Sequence, residues 1–450
     1  MKFSLMLVPL LVLVFCACTG IQSDISQPIL FSTNTQGVVP TNKPSDTPTL
    51  PASPVLTASA TPTPFPDYFS RSYSLSNIEY VIPLTVRHVT EQSATLFFEI
   101  SKPSAGLLIV RSIDPQKPLQ KEIILPENQT RHMITLDNLL PDNHYQVIIL
   151  LGERESVYKE AVFNGKAWGV VNFHTASNEK PIKVGVLGDA SFGDDATKDL
   201  IELMASQNLD FVINTGDIVY EVDRVDLINS YALKFFEPFS LLLHQYPVYT
   251  VLGNHDYDAA VEWQGEPFYH YAFPAFADQN FGYPESRIGN QYYAFAYQDI
   301  QFLMLDSQVL FGEEGRADQE AWMKERLADT RYRITIPICH VAPFSSSAVH
   351  PNDSLPVRYS WTPIFEAGNV PVVFSGHFHH YERLFVNGIT YIVTGGGSST
   401  LYAQGSQLPE SQIYARRTHF VLMEIFEDQI KIRAISKEGE IIDETSIRLP

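Results

Sequence analysis

Five short apolar segments between residues 181 and 381 each run directly into a small polar motif. The motifs that end them are Gly188-Asp189, Gly216-Asp217, Gly253-Asn254-His255, Cys339-His340 and Gly376-His377-Phe378-His379. Helical patterns at Ala196–Gln207 and Asp318–Leu327 separate some of these segments, and strands that alternate with helices indicate an α/β domain. In such sheets, ligands bind beyond the carboxyl ends of the strands. The pattern therefore predicts that these polar side chains meet at one edge of a sheet.

Aspartate, asparagine and histidine are all ligands for transition metals. A single Gly-Asp or His-x-His is uninformative, because turn and capping residues produce the same pattern. Five such motifs in order, each following an apolar strand, favour a metal centre over a set of turns. A turn glycine such as Gly376 would let the backbone bend sharply where the strand ends.

The five motifs together resemble those of the calcineurin-like metallophosphoesterases. Two features narrow the resemblance to the purple acid phosphatases. Tyr220 follows Asp217 by three residues, and Gly376–Arg383 reads G-H-F-H-H-Y-E-R, which matches the family's G-H-x-H-x-Y-E-R. The resemblance implies a four-layer αββα sandwich over residues 181–450, with a dinuclear metal centre.

The resemblance also implies a ligand set. Ferric iron would be held by Asp189, Asp217, Tyr220 and His379, and a divalent zinc, manganese or iron ion by the bridging Asp217 with Asn254, His340 and His377. A phenolate on Fe(III) gives these enzymes their colour. Two metals about 3.5–4 Å apart can clamp a phosphoryl group and activate a water for in-line attack, so that a metal-bound hydroxide hydrolyses phosphate esters.

Two histidines are candidates for protonating the leaving group. His255 follows Asn254 directly, and His350 lies ten residues after His340. Val349 stands where plant-type members carry a second histidine, so leaving-group protonation is expected to differ here. We interpret Asp306, the Gly395-Gly396-Gly397 turn and Cys339 as structural, and His380 has no assigned role.

Residues 72–177 show short alternating segments with turn signals and no long helical period, which predicts a small all-β sandwich. Leu139–Tyr145 resembles the L-x-P-x-x-x-Y corner of fibronectin type III domains, and Val171–Thr175 resembles their closing strand. The scattered histidines of this region are expected to be surface or hydrogen-bonded residues, not ligands: His88, His132, His144 and His174.

The N-terminus is expected to direct export. Residues 1–18 combine Lys2 with an apolar run too short to span a bilayer, as in a signal peptide. Its end, Phe15-Cys16-Ala17-Cys18, resembles a bacterial lipobox, which implies a lipid anchor at Cys18; ordinary cleavage without lipidation stays open. Residues 19–71 are rich in Pro, Thr and Ser and predict an extended linker.

Composition excludes one class of partner. The 51 acidic and 31 basic residues give a formal charge of −20, which opposes nucleic acid binding. The sequence thus favours an exported phosphomonoesterase of the acid phosphatase type. Hydrolysis of phosphodiesters or pyrophosphates at the same site, and a surface-displayed binding lipoprotein with a weak catalytic site, remain alternatives.

Overall fold

The computed structural model describes residues 65–177, 181–220, 226–258, 262–263, 266–267, 272–273, 292–312 and 315–449. The predicted signal peptide, Cys18 and the linker up to residue 64 lie outside the described residues, as does most of the loop at residues 259–289. Within the described residues, no helix combines the length and the apolar character needed to cross a bilayer.

The first folded region is all β, as the alternating pattern predicts. Its strands are β1 (Ser74–Val89), β2 (Ala94–Ile100), β3 (Gly106–Ser112), β4 (Gln120–Leu125), β5 (Arg131–Leu136), β6 (His144–Leu151), β7 (Lys159–Phe163), β8 (Lys166–Ala167) and β9 (Val171–His174). A 3₁₀ turn spans Glu155–Val157. The order is β4-β3-β6-β7-β1-β2-β5, and β8 and β9 pair with β7 and β6.

Some described residues before the predicted boundary at residue 72 also pack on this region. Tyr68 is buried against Ile109 and Leu150, on the face of β3 and β6 that the N-terminal segment covers. The Arg111 guanidinium lies 4.2 Å from the centre of the Phe69 ring. The segment before β1 therefore contributes to the stability of this region.

The L-x-P-x-x-x-Y corner has a clear physical basis. Tyr145 is fully buried, and its hydroxyl accepts a 2.7 Å hydrogen bond from the backbone N–H of Leu140. This contact ties the turn before β6 to the core, as in a tyrosine corner. The fibronectin-like assignment itself stays a prediction.

The second region contains two facing sheets. The first has the order β12-β11-β10-β22-β23-β24, and the second β15-β16-β17-β18-β20-β19-β21. Their strands are β10 (Ile182–Leu187), β11 (Phe211–Asn214), β12 (Val248–Thr250), β15 (Tyr293–Tyr297), β16 (Ile300–Leu305), β17 (Ile334–Val341), β18 (Val372–Gly376), β19 (Tyr381–Val386), β20 (Ile389–Thr394), β21 (Ser411–Ala415), β22 (His419–Ile425), β23 (Gln429–Ser436) and β24 (Ile441–Arg448). A short hairpin, β13 (Glu262–Trp263) with β14 (Glu266–Pro267), stands apart from both sheets.

Helices flank the two sheets, and the short one at Asn254–Asp258 follows the carboxyl end of β12. They are α1 (Asp195–Ala205), α2 (Leu227–Tyr231), α3 (Ser240–Leu243), α4 (Asn254–Asp258), α5 (Arg316–Leu327) and α6 (Ser354–Ala367), with a π turn at Ala232–Phe236 and a 3₁₀ turn at Ser307–Leu310. The sequence pattern located α1 and α5 within two residues of these bounds and missed α6.

The buried side chains show why the strands are nearly continuous apolar runs. Val184, Phe302 and Phe374 fill the space between the two sheets. The alternate positions point outward, so that Val212 packs with α1 and Val373 packs with α6. Strands that are buried on both faces need apolar residues at every position. The predicted αββα sandwich preceded by an all-β region is therefore confirmed.

We predict that Tyr145→Phe destabilises the protein by about 1 kcal/mol, because the partly buried Leu140 N–H loses its acceptor. Urea denaturation followed by circular dichroism measures this. Tyr359→Phe is the control, since that side chain is 73% exposed. Equal stability of Tyr145→Phe and wild type would show that the corner bond is dispensable.

Candidate metal centre

The predicted site residues come together where the carboxyl ends of the two sheets meet. Strands β10, β11 and β12 run parallel and lead to Asp189, Asp217 and Asn254. Strands β17 and β18 are also parallel, and they carry His340 and lead to His377. One sheet thus supplies oxygen ligands and the other supplies imidazoles, which explains why residues so distant in sequence meet.

Three of these residues adopt a backbone conformation that L-amino acids rarely use. Asp189, Asp217 and His377 have φ angles of 57°, 53° and 66°. Left-handed residues outside glycine cost energy and persist only where the surroundings enforce them, as often happens at functional sites. At each position the chain turns sharply out of its strand and aims the side chain into the space between the sheets.

Glycines in the motifs permit close approach of the backbone. A Cβ atom on Gly216, whose φ is 102°, would lie 2.6 Å from His340 Nδ1. A Cβ atom on Gly253 would lie 2.1 Å from Asp217 Oδ1. Larger side chains at these two positions would displace the candidate ligands themselves, so each glycine serves the site as well as its turn.

Four predicted ligands cluster around one point. His340 Nε2 lies 3.3 Å from Asp217 Oδ1 and 3.2 Å from Asn254 Oδ1. The same amide oxygen lies 3.1 Å from His377 Nδ1. Asp217, His340 and Asn254 are thus within mutual reach of a single cation, with His377 facing the same oxygen.

A second cluster adjoins the first. The Tyr220 hydroxyl donates to Asp189 Oδ1 at 2.9 Å and lies 3.2 Å from His379 Nε2. His379 Nε2 is also 3.4 Å from Asp189 Oδ1. All three side chains are buried. A phenol, a carboxylate and an imidazole that converge in this way form a donor set suited to a hard cation.

Each of the three candidate imidazole ligands has its other ring nitrogen held by an acceptor. The acceptors are the Thr215 carbonyl (2.9 Å from His340 Nδ1), the Thr400 carbonyl (2.8 Å from His379 Nδ1) and Asp353 Oδ2 (3.0 Å from His377 Nε2). A hydrogen bond of this kind fixes the proton on the far nitrogen, so the near nitrogen presents its lone pair to the site. Two neighbouring metal ions therefore fit the residues present.

The local electrostatics also suit a cation. Burial alone would lower the pKa of His340, but the Asp217 carboxylate raises it to about 10. Burial and the Asp189 and Asp217 carboxylates raise the pKa of Tyr220 well above its usual value. Both shifts reflect the excess negative charge of the site, which a bound metal ion would offset.

The two predicted proton donors occupy different environments. His255 donates its backbone N–H to Asp217 Oδ1 at 3.0 Å, and its ring lies 4.5 Å from that of Tyr220. His350 is half exposed, with Nδ1 3.5 Å from Asp353 Oδ2 and its ring 5.2 Å from that of His377. Both lie beside the two clusters. The catalytic and ligand roles themselves stay predictions.

Two acidic residues that the sequence analysis did not assign to the site contact residues of the motifs. Asp256 is buried and accepts N–H groups from Gly253 at 2.8 Å and Ile218 at 3.0 Å, which ties the third motif to the second. Burial and the nearby Asp217 raise the pKa of Asp256 to about 7. Its position directly after Gly253-Asn254-His255 was the feature of the sequence that could have indicated this role. Asp353 offered none, since it lies far along the chain in a loop.

Two aromatic rings cover the second cluster and were also missed. Phe192 stacks on Tyr220 with ring centres 3.8 Å apart, and Tyr402 stacks on His379 at 4.2 Å. Both come from loops, residues 190–194 and 398–402. They limit the access of water to that side of the site.

The Tyr-Glu-Arg tail of the last motif has a structural role. Tyr381 Oη and Arg383 Nε donate to Asp443 Oδ2 of β24, at 2.7 and 2.6 Å, and so join the two sheets. Glu382 accepts the Ser346 N–H at 2.8 Å and faces His380 Nε2 at 3.2 Å. The unassigned His380 is therefore a buried partner of Glu382 beneath the loop that leads to His350.

Comparisons with known proteins concern the domain that carries these residues. Residues 182–381 match the family model of the calcineurin-like phosphoesterases. The chain is 25% identical over 220 residues to the probable purple acid phosphatase 20 of Arabidopsis thaliana, which covers 47% of this chain and 48% of that protein. It is 25% identical over 215 residues to purple acid phosphatase 22 of the same plant, with 47% of each chain covered. The chain thus spans about half the length of these curated relatives.

Among solved structures, a purple acid phosphatase isolated from yellow lupin (Lupinus luteus) seeds matches with a TM-score of 0.63. The match covers 81% of this chain and 74% of that one, at 14% identity. At this identity the likeness concerns the fold alone. It extends beyond the residues that the family model matches.

We predict that Gly216→Ala lowers metal binding at least tenfold, because the added methyl group would push His340 away from Asp217. Metal content after dialysis against a defined zinc concentration measures this. Gly388→Ala is the matched control: its φ is 88°, but nothing lies within 4 Å of a Cβ there. Equal metal loss in both variants would show that backbone strain, not the contact with His340, is responsible.

Proposed function

We propose that this chain, whose residues 182–381 form a calcineurin-like metallophosphoesterase domain, is a dinuclear-metal hydrolase of phosphate monoesters. The proposal draws on the two adjoining ligand clusters and on the purple acid phosphatases among its relatives. Ferric iron is proposed for the Tyr220 cluster, and zinc, manganese or iron for the Asn254 cluster.

The position of the Tyr220 hydroxyl carries this proposal. It lies within hydrogen-bond distance of both Asp189 and His379. Unlike Tyr381, whose hydroxyl bonds a carboxylate that is itself paired with Arg383, Tyr220 faces a carboxylate and an imidazole that are both candidate ligands. Here the phenol enters a buried set of charged donors, where a strongly Lewis-acidic cation is the natural partner for a phenolate.

When bound, two metal ions would neutralise the phosphoryl oxygens and activate a water as the nucleophile. The side chains around them do the rest. Asp217, which faces His340 and accepts the His255 backbone N–H, holds these two parts of the site together. The stacked Phe192 and Tyr402 rings limit water on the Tyr220 side, so charge interactions with the ester are less screened.

The leaving group requires a proton. As the new P–O bond to water forms and the ester P–O bond breaks, the departing oxygen takes a proton from an imidazolium, and the water gives one up to solvent. His350 is the better-placed donor, because it is half exposed beside His377 and open to substrate. The His255 ring lies tilted against that of Tyr220, and its backbone N–H is bonded to Asp217.

We predict that the metal-loaded protein absorbs visible light and that Tyr220→Phe abolishes this absorption and lowers kcat at least tenfold. Absorption spectra with iron and zinc analysis test the first part. Turnover of p-nitrophenyl phosphate tests the second, and Tyr145→Phe is a control in which a different buried phenol is removed. Visible absorption that survives in Tyr220→Phe would contradict the ligand assignment.

Substrate preference is tested on the same preparation. We expect p-nitrophenyl phosphate to be hydrolysed at least tenfold faster than bis-p-nitrophenyl phosphate, and chelation of the metals to abolish both reactions. The reverse preference would favour the phosphodiesterase alternative. Less than one metal per chain with no turnover would favour a surface binding protein.

Export and lipid anchoring are proposed on the leader sequence alone. We predict that Cys18→Ala releases the protein from the membrane fraction into the soluble exported fraction, because the thiol that would carry the lipid is gone. Cys339→Ala is the control, as that thiol is buried in the fold. Soluble wild-type protein would show that the leader is cleaved without lipidation.

A further inference from the structure

Asp353 stands between the candidate metal ligand His377 and the candidate proton donor His350. Its Oδ2 atom lies 3.0 Å from His377 Nε2 and 3.5 Å from His350 Nδ1. The three side chains could by their spacing hold a cation. However, His377 Nδ1 lies 3.1 Å from Asn254 Oδ1. We therefore interpret Asp353 as the hydrogen-bond acceptor of the other ring nitrogen of His377, and not as a metal ligand.

The backbone around Asp353 supports a dedicated role. Asp353 occupies the N-cap position of α6, where aspartate usually accepts a hydrogen bond from its own helix. Among the described residues, its side chain makes no such capping bond. The carboxylate turns instead toward the two imidazoles.

A turn fixes His350 relative to Asp353. The Asp353 N–H donates to the His350 carbonyl at 3.1 Å. His350 itself adopts the left-handed conformation, with φ 57°. Such strain at a non-glycine residue needs support from its surroundings. The turn and the carboxylate together hold the imidazole beside the ring of His377.

The geometry of the contact supports an orienting role. The Asp353 carboxylate oxygen lies 3.0 Å from His377 Nε2. A hydrogen-bond acceptor at this nitrogen fixes the orientation of the ring, so that Nδ1 faces the candidate metal site.

We propose that Asp353 is a positioning residue with two tasks: it orients His377 toward the second metal, and it holds His350 where it protonates the leaving group. This inference rests on the proposed function.

Different substitutions separate the two roles of Asp353. Asp353→Asn keeps an oxygen that can accept from His377 but loses the negative charge beside His350. Asp353→Ala loses both contacts. His350→Ala removes the donor and leaves the His377 contact in place. Asp299→Ala, which removes a half-exposed carboxylate before β16 at the opposite end of the strands, is the control.

The first measurement is zinc binding by the apoprotein, followed by calorimetry and by metal content. We expect Asp353→Ala to weaken one of the two zinc sites by about 10–100-fold, and Asp353→Asn and His350→Ala to change it less than threefold. Unchanged zinc affinity in Asp353→Ala would overturn the orienting role. This arm does not depend on turnover, so it stands or falls separately from the phosphatase function.

The second measurement compares two phosphate monoesters on fully loaded enzyme. Glycerol 2-phosphate has a poor leaving group that needs a proton, and p-nitrophenyl phosphate has a good one that does not. We expect His350→Ala and Asp353→Asn to lower kcat for glycerol 2-phosphate about 100-fold and kcat for the aryl ester less than tenfold. Equal losses on both esters would overturn the leaving-group role. Asp353→Asn is nearly isosteric, so it keeps this test decisive if Asp353→Ala is unstable.

Discussion

The site depends on how its three imidazoles are held from behind. An imidazole presents a defined lone pair when its other ring nitrogen donates a hydrogen bond. The acceptors of these bonds are two backbone carbonyls and one carboxylate. The carbonyls belong to Thr215, which directly precedes the second motif, and Thr400, which lies in the loop after β20. The end of β11 therefore supplies a candidate ligand, Asp217, and also the hydrogen-bond acceptor for another candidate ligand, His340. Such cross-support explains why the strand ends must lie so close together.

The close approach of the strand ends requires strained backbone conformations. Asp189, Asp217 and His377 leave their strands in a left-handed conformation, and the motif glycines allow neighbouring turns to pass within contact distance. Only a rigid framework can enforce this strain. The framework is the pair of sheets, with one apolar core between them and helices outside, further joined by the contacts of Tyr381 and Arg383 with Asp443.

The parts of this arrangement that could be predicted from the sequence are those with a local signal. Apolar strands that end in Gly-Asp or Gly-Asn-His show both the sheet edge and the ligand types, and the His377/His379 pair showed that two imidazoles leave one strand. Asp353, Phe192 and Tyr402 could not be predicted in this way. Their contacts depend on the path of loops, and nothing in their own neighbourhood distinguishes them from surface residues. Helix α6 was missed for a related reason: its apolar positions, such as Val357 and Trp361, face a sheet surface that only the folded chain reveals.

The pairing of β10 with β22 has a consequence for how the site comes into being. The strand that leads to Asp189 begins at Ile182, and its antiparallel neighbour begins only at His419. Until the end of the chain is available, β10 has an open edge on that side, and Asp443 is absent from its place beside Arg383. Contacts between residues this distant in sequence form slowly, because closing the long intervening loop costs conformational entropy before the contacts are made. Assembly of the metal centre is thus expected to be a late event in folding, and the apolar strands that precede it need protection from aggregation until the last strands arrive.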